Sequence, residues 1–321
     1  MSVDREIDIH DSGYVRDLFD RVAATYGYAN YLASFGFTER WRNRCIDNLG
    51  RMAEGAVGFD LMCGRGETWT QLLRKHAGIA KLTGLDISPA MIEGARAQAA
   101  RLGTAKVDLL QQDVFDNTIE SGSADFVVST FGVKTFDPEQ LRQLAAQIGR
   151  ILKPGGCFSL IEVSEPRGWF LRPLYMFYLR RAMPIIEKLF LGYSYGFSMI
   201  GIYVAQFGDC RELQQHLQAA GLTADFRSYF FGCASGLVGF KPVPVSTTSA
   251  MPPRIMADAM TRRGVNVSPR KSTPAKAVIT GTLSWMVAAL VALSAGSAVY
   301  QMAYPIAEVR APDAAAYAMP A

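Results

Sequence analysis

The sequence predicts an α/β fold: a doubly wound, mostly parallel Rossmann-like sheet of the kind that holds a nucleoside-bearing cofactor. Three observations lead there. Apolar strand-like runs alternate with segments of helical periodicity from residue 51 onward. One run passes through Phe59-Asp60-Leu61-Met62-Cys63-Gly64-Arg65-Gly66, a buried strand followed by a glycine turn that opens a helix. Twenty residues after the first of these glycines, Gly84-Leu85-Asp86-Ile87-Ser88 ends a second strand on an acid, where a carboxylate can accept from ribose hydroxyls.

The elements follow in order. Residues 1–50 form a helical cap, with Val15, Leu18, Phe19, Val22, Ala23 and Tyr26 at three- and four-residue steps over 14–49. A cofactor domain spans 51–242. Its strand 56–62 leads to a helix over 67–76. Strand 81–86 leads to a helix over 89–102, which Ser88 can cap and Pro89 can begin. Strand 107–111 follows, then strand 124–129 and a helix over 138–151. Lys153-Pro154-Gly155-Gly156 turns the chain into strand 157–163. Residues 162–209 interrupt the alternation as a helical insert rich in aromatics, among them Trp169, Phe170, Tyr175, Phe177, Tyr178, Tyr203 and Phe207. Such a cover suits a lid on the sheet edge and equally a ring-bearing acceptor. A helix over 211–220 stops at Gly221, and strands 224–231 and 235–240 read as a terminal hairpin.

The details of the glycine turn choose the cofactor. A dinucleotide fingerprint has a third glycine and a helix N-terminus facing pyrophosphate, but Trp69 stands at that position. Asp60, just before the turn, is badly placed for a phosphate and well placed to reach an amino group through water. Ribose, adenine and an amino-acid ammonium without phosphate describe S-adenosylmethionine. The expected contacts are Asp60, Gly64 and Gly66 at the amino-acid part, Asp86 at the ribose, Met91 over the adenine, and Gln112 with Asp113 at the adenine edge. Asp125 is expected to serve the end of the sheet instead.

Composition bounds the rest. Five cysteines, odd in number and without a C-x-x-C, read as reduced thiols, and His10, His76 and His216 form no metal-ligand spacing. The polar start shows no signal peptide. The net charge of +4 is modest, yet residues 251–276 carry six cations against one acid, which marks 243–276 as a basic, flexible linker. Residues 277–300 lack charge and proline; as a helix of ~36 Å they exceed a hydrocarbon core of about 30 Å. A transmembrane helix over 277–303 is therefore expected, with a short tail, 304–321, and a cytoplasmic catalytic domain anchored to the cell membrane. No N/D-P-P-Y/F/W clamp follows the fourth strand and no Pro-Cys nucleophile occurs, which argues against nucleic acid as a partner.

One family joins these features. The sequence resembles the ubiquinone/menaquinone biosynthesis C-methyltransferases over about residues 14–242. The resemblance lies in Phe19-Asp20-Arg21-Val22-Ala23 with Tyr26 and Asn30, Ser34-Phe35-Gly36, Trp41-Arg42, Asp60-x3-Gly64-x-Gly66, Phe131-Gly132, Leu152-Lys153-Pro154-Gly155-Gly156 and Glu162-Val163-Ser164-Glu165-Pro166. It implies a class I S-adenosylmethionine-dependent methyltransferase fold and methylation of a ring carbon of a prenylated hydroquinone or phenol. Such a ring must shed or share a hydroxyl proton, which calls for a base or a steadying cation. Tyr26, Asn30 and Lys134 are the candidates. The chain departs from the family where Leu-Arg-Asn is usual, carrying Val133-Lys134-Thr135; a lysine point charge does not replace a planar guanidinium. Two rival readings remain: methylation of another membrane lipid, such as an amino head group or a different phenol, and a non-catalytic donor-fold module held at a membrane.

Overall fold

The computed structural model describes residues 8–23, 34–185, 188 and 196–244. Tyr26, Asn30 and the expected membrane segment at 277–303 lie outside them. Spatial contacts divide the chain into Met1–Ser246 and Thr247–Ala321, and the second unit is wholly outside the described residues. Among the described residues no helix is long and apolar enough to cross a membrane.

Seven strands form one sheet: β1 (Val57–Leu61), β2 (Lys81–Asp86), β3 (Val107–Gln111), β4 (Ala124–Thr130), β5 (Leu152–Val163), β6 (Thr223–Tyr229) and β7 (Ala234–Phe240). Their order is β3-β2-β1-β4-β5-β7-β6. The first five pair in parallel, and β7 runs antiparallel between β5 and β6. Order reverses between β1 and β4, so the crevice outside their carboxyl ends is where such a sheet receives a ligand.

The described helices are α1 (Ser12–Val22), α2 (Phe37–Asn48), α3 (Trp69–Lys75), α4 (Pro89–Leu102), α5 (Pro138–Ile151), α6 (Arg172–Phe177), α7 (Gly196–Phe207) and α8 (Arg211–Ala219). Strand alternation sends Phe126 and Val128 toward a layer built with Trp41, Ile46, Trp69, Leu72 and Ile92. Val127 faces a layer built with Leu141, Leu144, Ile148, Leu213 and Leu217. Local chemistry sets the helix starts. Ser88 Oγ accepts from Met91 N at 3.0 Å with Pro89 at the first turn of α4. Asp137 and Gln140 form a capping box at α5.

The helical cap over 14–49 holds more than one helix, because Gly36 (φ 73°), following Phe35 (φ 51°), starts α2 from the left-handed region that a helix cannot cross. Two expectations are corrected. The Lys153–Gly156 turn lies inside β5: Ala124 pairs with Leu152 and Phe126 with Cys157, so four residues loop out of an otherwise continuous ladder. At the far end, β6 stops at Tyr229 and a 3-10 turn, Phe230–Gly232, makes the hairpin tip. Asp125 does serve the sheet end, accepting from Val57 N at 2.9 Å and pairing with Lys153 at 2.8 Å.

Candidate active site

β1 ends in a sharp turn in which Met62 (φ 53°), Gly64 (φ 56°) and Gly66 (φ 75°) all take left-handed backbone. That conformation costs a side-chain-bearing residue roughly 1–2 kcal/mol, and glycine little. Gly66 has a second reason. A Cβ there would lie 2.4 Å from the Trp69 ring, and one on Gly84 in β2 would lie 2.5 Å from the same indole. Trp69 is fully buried, and its Nε1 donates to Asp60 Oδ2 at 2.9 Å. The side chain at the third-glycine position thus fills the floor of the turn and anchors the acid of β1.

Asp86 ends β2, with Oδ2 accepting from Gly64 N at 2.8 Å and Oδ1 from Ser88 N at 3.0 Å. It ties the second strand end to the glycine turn and to the start of α4. Ser88 Oγ also donates to Asp20 Oδ1 at 2.5 Å, and Arg65 Nη1 donates to the Ala23 carbonyl at 2.6 Å. These bonds lay α1 against the site, where Val22 and Ala23 pack on Met91.

Between α1 and the strand ends lies a cleft open to solvent, its space about 760 Å3 when the open mouth is included. Glu67, Asp86 and Asp113 give it acids; Phe19, Met62, Met91, Phe131 and Phe136 give it apolar walls. His10, Ser12, Arg42, Thr130 and Thr135 add to the polar lining. Of the residues the sequence singles out, Gly64, Asp86, Met91 and Asp113 meet in this cleft, Gly66 supports its turn, and Asp60 lies just beneath. Gln112 turns elsewhere: its Oε1 accepts from Thr118 N at 3.0 Å and Thr118 Oγ1 at 3.1 Å.

Lys134 does not line the cleft. Its ammonium donates to the Phe131 carbonyl and lies 3.2 Å from Glu162 Oε1, while Glu162 Oε2 accepts from Lys134 N at 3.0 Å. Glu162 is fully buried and needs a countercharge. The cation that the sequence offers to the acceptor is committed to that carboxylate.

Three cleft residues escaped the sequence reading of site roles. His10 sits with Nδ1 2.8 Å from the Thr135 carbonyl and Nε2 3.1 Å from Gln206 Oε1. Arg42 is buried beneath the cleft wall, paired with Glu39, its guanidinium 5.2 Å from the Phe131 ring centre. Glu67 follows the second glycine directly, and that adjacency was the available signal; nothing in the local pattern marks His10.

The electrostatics favour an amino-acid ligand over a phosphate. Burial pushes the Asp60 carboxyl up to about 8; the Trp69 hydrogen bond opposes this, while Glu67 and Asp86 add to it. Burial likewise raises Asp86 to about 6, against the lowering pull of the Ser88 and Gly64 N–H groups. Asp60 Oδ1, Glu67 Oε1 and Arg42 Nε are buried without a partner. Orphaned carboxylate oxygens want an ammonium, and an orphaned guanidinium N–H wants a carboxylate. The zwitterionic arm of S-adenosylmethionine supplies both, so the residues present fit that cofactor; the crowded acids would repel a phosphate.

A pH effect follows. An unfolded aspartate loses its proton near pH 4, whereas folded Asp60 keeps its own until about 8. Across that window the native state binds more protons, so stability falls as pH rises. The melting temperature of the ligand-free protein is expected to decline between about pH 5 and pH 8, and Asp60→Asn should flatten the decline. Equal slopes in thermal unfolding would refute the assignment.

Comparison with known proteins agrees with this geometry. The model of the ubiE/COQ5 methyltransferase family matches residues 7–241. A demethylmenaquinone methyltransferase of Bacillus velezensis is 28% identical over 229 residues, 71% of this chain and 97% of that protein. One from Staphylococcus aureus is 29% identical over 229 residues, 71% and 92% of the two chains. Among solved structures, the cyclase SpnF aligns with a TM-score of 0.52 at 16% identity, over 72% of this chain and 96% of that one, a likeness of fold alone.

Proposed function

Because the chain belongs to the ubiE/COQ5 methyltransferase family and is an S-adenosylmethionine-dependent methyltransferase, we propose that it methylates a ring carbon of a lipophilic, quinol-type acceptor. The observation that carries the reading is that one cleft joins unpaired charged groups to aromatic walls. Glu67, Arg42 and Asp86 line it with buried Asp60 beside them, and Phe19, Phe131 and Phe136 form apolar walls of the same cleft. Bound S-adenosylmethionine supplies an electrophilic methyl group on a sulfonium. Asp86 is assigned to the ribose hydroxyls, Asp60 with Glu67 to the ammonium, and Arg42 to the carboxylate. Asp113 and Met91 are assigned to the adenine. The apolar walls exclude water and hold a flat ring.

Demethylmenaquinone is what the relatives' names specify, and a hydroquinone suits the aromatic walls of the cleft. Tyr26 and Asn30, outside the described residues, are assigned to hydrogen-bond the ring hydroxyl, so that its proton is shared as the ring attacks the methyl group. The uncharged run at 277–300 supports a membrane tether, with the catalytic domain in the cytoplasm, for a substrate that does not leave the bilayer readily.

The test uses cells making the full chain or a chain ending at residue 270, supplied with methyl-deuterated methionine. A quinone heavier by one labelled methyl is expected, with the full chain kept in carbonate-washed membranes and the shortened chain released. Label on an amino head group would replace the acceptor, and a shortened chain that resists carbonate would remove the tether.

A further inference from the structure

The catalytic unit carries an apolar face that its own core leaves uncovered. α6 runs into a π turn, Tyr178–Ala182. Met176, Leu179 and Met183 are buried against Val204. On the outer side, Phe170, Leu174 and Phe177 follow at four- and three-residue steps, and Phe170 and Phe177 are 65% and 60% exposed. Ile185 is 58% exposed further along. Phe231, 51% exposed, stacks on Trp169 with ring centres 5.2 Å apart and planes within 2°. Trp169 in turn lies 6.3 Å from Phe170, so the rings are contiguous.

Two features show that this face is built. Phe230 (φ 45°) and Phe231 (φ 59°) hold left-handed backbone in succession, which costs bulky residues roughly 1–2 kcal/mol each. Their strain places a phenyl ring in solvent. Beside the rings Arg180 and Arg181 are exposed, Arg172 is exposed but paired with Glu165, and no acid occurs between residues 166 and 185.

We infer that this face docks the catalytic unit on an anionic bilayer surface, the rings entering the head-group boundary and the arginines meeting lipid phosphates. The inference rests on the proposed lipophilic acceptor and adds how the cleft meets it. A second copy is the poorer occupant, since two such cationic rims would face each other across a two-fold contact. The chain's own run at 277–307 has no charge to answer the arginines.

Hydrogen exchange of the full chain tests this, with vesicles of phosphatidylcholine alone or mixed with phosphatidylglycerol. Peptides covering 169–185 and 229–233 are expected to slow on mixed vesicles and much less on the neutral ones. Phe170→Ser/Phe177→Ser/Phe231→Ser should need about tenfold more lipid for the same protection. That variant should methylate a short-chain, water-soluble hydroquinone at the wild-type rate and a vesicle-borne polyprenyl one more slowly. Unchanged exchange with mixed vesicles overturns the inference, as does protection already present without lipid, from a second copy or the chain's own tail. If the wild type methylates no hydroquinone, the acceptor assignment fails while the exchange measurement still decides the docking face. Should the triple variant not fold, the wild-type exchange alone decides.

Discussion

Replacing Asp86 by alanine is expected to weaken S-adenosylmethionine binding by about a hundredfold or more. Two ribose hydroxyls donating to one carboxylate make two charge-assisted hydrogen bonds, each worth roughly 1.5–3 kcal/mol when the partner is left bare. The same carboxylate accepts from Gly64 N and Ser88 N, so its removal also loosens the glycine turn and the start of α4. Titration calorimetry measures the loss. Asp86→Asn separates the two jobs, because an amide oxygen can still accept from one backbone N–H but cannot serve both hydroxyls as a carboxylate does. Full affinity in Asp86→Asn would reduce Asp86 to a brace for the turn.

The second large effect concerns stability. Lys134→Met leaves Glu162 as an unpaired charge in the interior and is expected to cost about 3–5 kcal/mol in chemical denaturation. Glu162 accepts from Lys134 N, from Val163 N at 2.7 Å and from the Lys134 ammonium, so it pins the turn after β4 to the end of β5. Lys134→Met combined with Glu162→Gln removes both charges, and most of the lost stability should return. A double variant no more stable than Lys134→Met would mean that the pair is not the cause. Turnover of the refolded double variant then sorts the roles of Lys134: a rate near wild type leaves it a positioning residue, and a collapsed rate restores it to the acceptor.

Much of the fold was legible because its signals are local. Strands β2 and β3 and helices α4 and α5 lie where periodicity and caps place them, since Ser88-Pro89 and Asp137-Pro138 state a helix start in two residues. The break at Gly36 was harder: one glycine within an amphipathic run is tolerated in many helices, and only the left-handed backbone tells them apart. The donor end of the site was legible for the same reason as the caps, because a turn and a strand end carry it. The acceptor end is not. Lys134 looks free in sequence, and its burial beside Glu162 depends on a partner 28 residues away. His10 reaches Thr135 and Gln206 across 125 and 196 residues, distances at which no spacing rule operates.

The indole beneath the glycine turn also bears on ancestry. Gly66, Gly84 and Trp69 occupy one volume between them, and the indole donates the hydrogen bond that holds Asp60. A mutational path toward a pyrophosphate-binding turn would have to place glycine where the tryptophan stands. That single step would open a void and strip the acid of its donor before any new ligand could compensate. Bulk added at either glycine collides with the ring, so drift from those two positions is closed as well. The three residues can change only in concert, which would hold descendants of this chain to the same cofactor long after their acceptors had diverged.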